Sequence, residues 1–146
     1  MQAISELPAF QPLVLFSVLL ALKMGAVGFL TALRRFGSKV VVNPEDVPVN
    51  PGSHAEIEEA PATLRAKRAH LNDIENIPVF LVLALLLTMT GVSSAVGWGY
   101  FGLYFVARSL HTTFYLNAIQ PWRTAAFAVG QFTQLAMMIQ LLFYAL

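Results

Sequence analysis

The sequence contains no cysteine. That excludes a disulfide framework, a thiol nucleophile and a thiolate-bound metal. Charge is nearly as scarce: 12% of the 146 residues are Asp, Glu, Lys or Arg, about half the ~25% of a soluble domain. The net charge of +1 offers no basic surface, and neither a nucleic-acid partner nor a metal centre is expected. Internal repeats and low-complexity tracts are missing. The first apolar segment is too long for a signal peptide, and no small-residue cleavage site follows it. The last apolar segment, Ala125–Tyr144, has no formal charge at all.

What is there is apolar. Hydrophobic residues make up 57% of the chain and the mean hydropathy is +0.65. The expected fold is all-α: one domain over 1–146, an integral membrane bundle of four helices at about 10–35, 63–90, 96–118 and 121–145. Residues 1–12 read as a short exposed lead-in. The first span, Leu13–Leu33, contains Lys23, a costly charge at depth that calls for a carboxylate partner or an interface. Gly25 and Gly28 suggest close helix packing. The 36–62 loop holds Pro44, Pro48, Pro51 and Pro61, which oppose a continuous helix. Within it, Asn43-Pro44-Glu45-Asp46 suits a short helical turn with Pro near its start. In the second helix about 14 residues from Ile77 are apolar, short of the ~20 needed to span. Its polar half should therefore face water, a cavity or other helices, and Pro78 should kink it.

Basic residues orient the bundle. Of nine, Arg34, Arg35, Lys39, Arg65, Lys67 and Arg68 flank the 36–62 loop, and Arg123 follows the 117–120 turn. The excess of cations marks that end as cytoplasmic. Two polar stripes reach the same end. Arg68, Asn72 and Glu75 share one face of the second helix, and Arg108, His111 and Tyr115 share one face of the third. With Arg35 and Arg123 they reach one membrane depth. Each residue alone is compatible with snorkelling or an interhelical ion pair, such as Glu75 with Arg108. Together they suit a small zwitterion with more than one carboxylate, because Arg binds carboxylates in a fork and Glu suits an ammonium. Glu75 is also compatible with a small proton-coupled multidrug carrier, though clustered arginines would hold it ionised.

The stretch Arg68-Ala69-His70-Leu71-Asn72-Asp73-Ile74-Glu75-Asn76 resembles the R-A-H-x-N-D-x-E-N signature of the MAPEG family, the membrane-associated proteins of eicosanoid and glutathione metabolism. Asn43-Pro44-Glu45-Asp46 looks like its N-P-E-D loop. Arg108-x-x-His111-x-x-x-Tyr115 and Pro121-x-Arg123 are similar to its motifs on helices three and four.

The resemblance implies a homotrimer with glutathione bound between subunits. Arg35, Arg68 and Arg108 would hold its carboxylates, and Asn72 and Glu75 its γ-glutamyl amino end. His111, Tyr115 and His70 would make further contacts. Arg123, held by Asp46, would carry the catalytic role of stabilising the thiolate. A guanidinium in a low-dielectric site lowers a thiol's pKa from its usual value of about 8.5. The implied activity is glutathione transferase or peroxidase chemistry on a lipophilic second substrate from the bilayer, entering along Phe114 and Phe127. A glutathione-dependent, prostaglandin-E-synthase-like isomerase is the alternative. That branch has Arg where Leu71 stands, which tilts the reading to the transferase. Thr124 keeps a hydroxyl that the synthase branch supplies with Ser. A bacterial inner membrane is favoured over the endoplasmic reticulum, with the site on the cytoplasmic side.

Overall fold

The computed structural model describes residues 3–146, so the first two of the expected lead-in lie outside the described residues. A 3₁₀ turn at Ile4–Glu6 leads into α1 (Phe10–Ser38). Lys39 ends α1 in a left-handed conformation. Strand β1 (Val40–Val41) pairs in parallel with β2 (His54–Ala55), and Pro44–Asp46 forms the short 3₁₀ turn with Pro at its start. Then come α2 (Pro61–Met89), α3 (Ser94–Leu116) and α4 (Trp122–Ala145). α1, α2 and α4 are each long and apolar enough to cross a bilayer. α2 qualifies through an 18-residue stretch, longer than the apolar run read from Ile77 onward, and it continues unbroken through Pro78. α3 is also long enough at ~1.5 Å per residue, but its inner half carries Arg108 and His111.

The helices pack by residues recurring every three to four positions. α1 buries Pro12, Phe16, Leu20, Val27 and Thr31, and α3 buries Gly97, Phe101, Tyr104 and Ala107. α2 presents Ile77, Phe80, Ala84 and Leu87, and α4 contributes Met137. Phe80 stacks on Tyr104 with ring centroids 3.8 Å apart, fixing α2 against α3. The start of α1 and the residue before it lie close to α3 at Gly97, where a Cβ would lie 2.9 Å from Pro12 Cγ and 3.0 Å from Ala9 Cβ. Gly28 admits the His70 ring, 3.3 Å from where its Cβ would be, whereas a Cβ on Gly25 would meet nothing within 4 Å. Of the two glycines read as packing sites, only Gly28 serves. Outward, α1 exposes Val14, Val18, Leu22 and Phe29, and α4 exposes Phe132, Leu135, Leu142 and Phe143. This is the apolar exterior a bilayer or a neighbouring subunit covers.

The long loop is fastened at both ends. The His54 N–H donates to the Lys39 carbonyl at 3.0 Å, and the Glu56 N–H to the Val41 carbonyl at 2.9 Å. Buried Asn50 accepts from Lys39 Nζ at 3.1 Å and donates to the Phe36 carbonyl at 3.3 Å. At the start of α2, Glu59 accepts from Arg35 and lies 3.2 Å from Lys67 Nζ, while Arg34 donates to the Ala62 carbonyl at 3.1 Å.

Candidate functional site

Three charged residues occupy core positions on three helices. Lys23 continues the Phe16–Leu20–Val27 stripe of α1. Asp73 lies four residues before Ile77 on the buried face of α2. Arg108 follows Phe101 and Tyr104 on α3. They meet. Lys23 Nζ donates to Asp73 Oδ2 at 2.5 Å and to Thr112 Oγ1 at 2.7 Å. Arg108 Nη2 donates to Asp73 Oδ1 at 2.6 Å and to Asn72 Oδ1 at 2.7 Å. Asp73 is wholly buried and Arg108 is 1% exposed. An unpaired charge at this depth would cost several kcal/mol (of order 3–5), so the pairings explain why these residue types are tolerated. Yet Arg108 Nε and Nη1 and His111 Nδ1 are buried without a partner among the described residues.

A cavity of about 230 Å³ is lined by Pro61, Leu64, Arg65, Arg68, Tyr115 and Arg123. The starts of α2 and α4 and the end of α3 form it. Arg123 lies 4.8 Å from the Tyr115 ring centroid, a cation–π contact, and His111 meets Tyr115 edge-on at 5.7 Å. The Gln120 amide, oriented by its neighbours, accepts from Arg123 Nε at 3.1 Å and donates to Thr124 Oγ1 at 3.1 Å. Three guanidinium groups and a phenol line the cavity, and no carboxylate does. Such a lining selects anions.

The chain thus brings together Arg68, Tyr115 and Arg123, with His111 against Tyr115, while Arg108 and Asn72 bond to each other. Other expected site residues lie elsewhere. Arg35 and Asp46 line a second cavity of about 150 Å³ under the loop, with Ala32, Phe36, Val41, Val49 and Asn50. Arg35 is engaged by Glu59, and Asp46 accepts from Asn43 Nδ2 at 3.3 Å. The expected Asp46–Arg123 contact is not made within the chain. His70 packs into the Gly28 notch on α1, on the side of α2 away from Arg68. Glu75 is exposed and makes no ion pair among the described residues, so the suggested Glu75–Arg108 pair is replaced by Asp73–Arg108. Arginines therefore do not enclose Glu75, and that argument against a proton-coupled carrier falls. Asp73 and Thr112 were missed. The signal was available: Asp73, Ile77, Phe80, Ala84 and Leu87 share one 3.6-residue stripe.

The chain matches the MAPEG family over residues 13–143. It is 34% identical to prostaglandin E synthase of Mus musculus over 143 residues, covering 97% of this chain and 91% of that protein. It is 36% identical to microsomal glutathione S-transferase 1 of Homo sapiens over 131 residues, covering 87% of this chain and 84% of that protein. Both names are those of enzymes, which argues against a carrier more directly than the surroundings of Glu75. A match over nearly the whole length, together with the four-helix architecture, shows that this chain belongs to the MAPEG family.

Proposed function

We propose that the protein is a membrane glutathione transferase, with peroxidase capacity, that activates the glutathione thiol through Arg123. The observation that carries this reading is the carboxylate-free cavity lined by Arg65, Arg68, Tyr115 and Arg123. Glutathione has two carboxylates, one ammonium and a thiol. Arg68 and Arg108 suit the carboxylates in bidentate fashion. Asn72 and the exposed Glu75 suit the γ-glutamyl ammonium, and His111 and Tyr115 contact the peptide. Arg123, steadied by the Tyr115 ring and Gln120, favours the thiolate over the thiol. The thiolate attacks a lipophilic electrophile arriving from the bilayer, and the leaving group departs with the electron pair of the broken bond.

Arg35 and Asp46 belong to this reading through a second copy of the chain. A homotrimer with glutathione between subunits would bring the loop cavity of one copy towards the arginine cavity of its neighbour. The exposed α2 face of Arg68, Leu71, Glu75, Pro78 and Val82 would then be covered. The basic residues at the loop end suit a site on the cytoplasmic side, of a bacterial inner membrane in preference to the endoplasmic reticulum. The synthase-like isomerase is the second reading. It is favoured by the 97% coverage of the chain by the mouse synthase and by the Thr124 hydroxyl beside Gln120 and Arg123.

Steady-state conjugation of glutathione to an aryl halide by protein in detergent is the test. Arg123→Ala should lower kcat by about 10²–10³, the usual loss for one charge-stabilising donor, with less than about threefold change in the glutathione dissociation constant. No conjugation by the wild-type protein would overturn the transferase reading. Equal loss of binding and turnover would move Arg123 from activation to docking.

A further inference from the structure

We infer that Lys23 and Asp73 are positioning residues that set the charge presented by Arg108, so that Arg108 is held rigidly yet still attracts a ligand carboxylate. This rests on the reading of Arg108 as an anion-binding residue of the site. Asp73 divides its two oxygens: Oδ1 holds Arg108 Nη2 at 2.6 Å, and Oδ2 holds Lys23 Nζ at 2.5 Å. Asn72 takes the other contact to Nη2, so one nitrogen of the guanidinium is committed to the protein. The N–H groups of Nε and Nη1 are left, buried and unpartnered. A guanidinium has five N–H donors in a fixed fork. Here one corner anchors the plane, and the Nε and Nη1 donors are committed to no protein group.

Anchoring by a carboxylate alone would defeat that purpose. Asp73 and Arg108 by themselves sum to zero, and a neutral pair attracts an anion weakly at low dielectric, where charge–charge energies are largest. Lys23 supplies the missing unit. It enters from α1, is mostly buried, and also donates to Thr112 at 2.7 Å. The cluster then carries one net positive charge in its buried setting. Bridging α1, α2 and α3 requires only matched hydrogen bonds. Attracting an anion requires this particular charge sum, and the two roles separate experimentally.

The test uses full-length protein in detergent and equilibrium binding of glutathione and of its dialkyl ester, which keeps the peptide and thiol but no carboxylate. Lys23→Met should weaken glutathione binding about tenfold and change ester binding less than about twofold. Lys23→Arg should retain wild-type affinity. The double variant Lys23→Met/Asp73→Asn keeps one net positive charge without the ion triad, and should recover to within about threefold of wild type. It also avoids an unbalanced buried carboxylate if Lys23→Met folds poorly. A double variant no tighter than Lys23→Met, or loss of ester and glutathione binding in parallel, would overturn the inference and leave a structural triad. If wild type binds glutathione and Arg108→Met does not, unchanged affinity in Lys23→Met overturns the inference alone. If wild type binds no glutathione, both readings fall.

Discussion

Asp73 and Glu75 stand two positions apart on α2 and should respond oppositely to the same loss of charge. Asp73→Asn leaves Lys23 and Arg108, both buried, without their shared counter-ion. The expected loss is about 3–5 kcal/mol of stability, read as a lowered thermal midpoint in detergent. Glu75→Gln, at an exposed position, should alter stability by less than about 0.5 kcal/mol while weakening glutathione binding measurably. If the two variants lose stability equally, the burial contrast between them is wrong. This difference was only half legible in the sequence. The stripe Arg68–Asn72–Glu75 was visible as a polar face, and Lys23 as a charge needing a carboxylate. Its partner Asp73 lies off that polar face, on the core-facing stripe with Ile77 and Phe80, and is legible only through that stripe's spacing. His70 is the converse case: the motif points to a ligand contact, whereas the structure seats it against Gly28.

At the scale of elements, helix positions follow from hydrophobic runs, prolines and turn residues, and the observed boundaries lie within a few residues of that pattern. The loop does not follow from it. Its parallel strand pair joins residues fourteen apart (Val40 with His54), and two-residue strands leave no periodic signal. Glu59 anchors its far end. Burial alone would raise this carboxyl, but the hydrogen bonds from Arg35 and Lys67 outweigh burial and hold it below its ordinary value of 4.5. A depressed carboxylate stabilises the fold above its unfolded value and loses that contribution as pH falls through the lower folded value. Proteolytic cutting within the 39–60 loop should therefore rise below pH ~4.5, and Glu59→Gln should show the fast cutting already at neutral pH. A pH-independent cutting rate would remove Glu59 as the anchor. On the helix side, Gly97→Ala should cost about 1–3 kcal/mol, because its Cβ would lie 2.9 Å from Pro12 Cγ. Gly130→Ala, whose Cβ would sit 3.6 Å from Arg108 Cδ, should be tolerated.

At the scale of the whole molecule, one chain carries a cationic cavity but keeps Arg35 and Asp46 in a separate one. Neither composition nor periodicity reveals that separation, since both place all these residues at one end of the bundle. The proposed trimer would bring the two cavities together, so light scattering of the detergent-solubilised protein should give three chains per particle; a monomer that binds glutathione with full affinity would argue that one chain suffices. Activation of the glutathione thiol is read out by the ultraviolet thiolate band of bound glutathione at pH 7. Free glutathione, with a thiol pKa near ~8.5, is mostly protonated there, and a shift of about two units, ~2.7 kcal/mol, makes most of it thiolate. The expected result is a strong thiolate band on binding to the wild-type protein, diminished in Arg123→Ala at saturating glutathione. Bound glutathione without that band would mean that the site docks the tripeptide and does not activate its thiol.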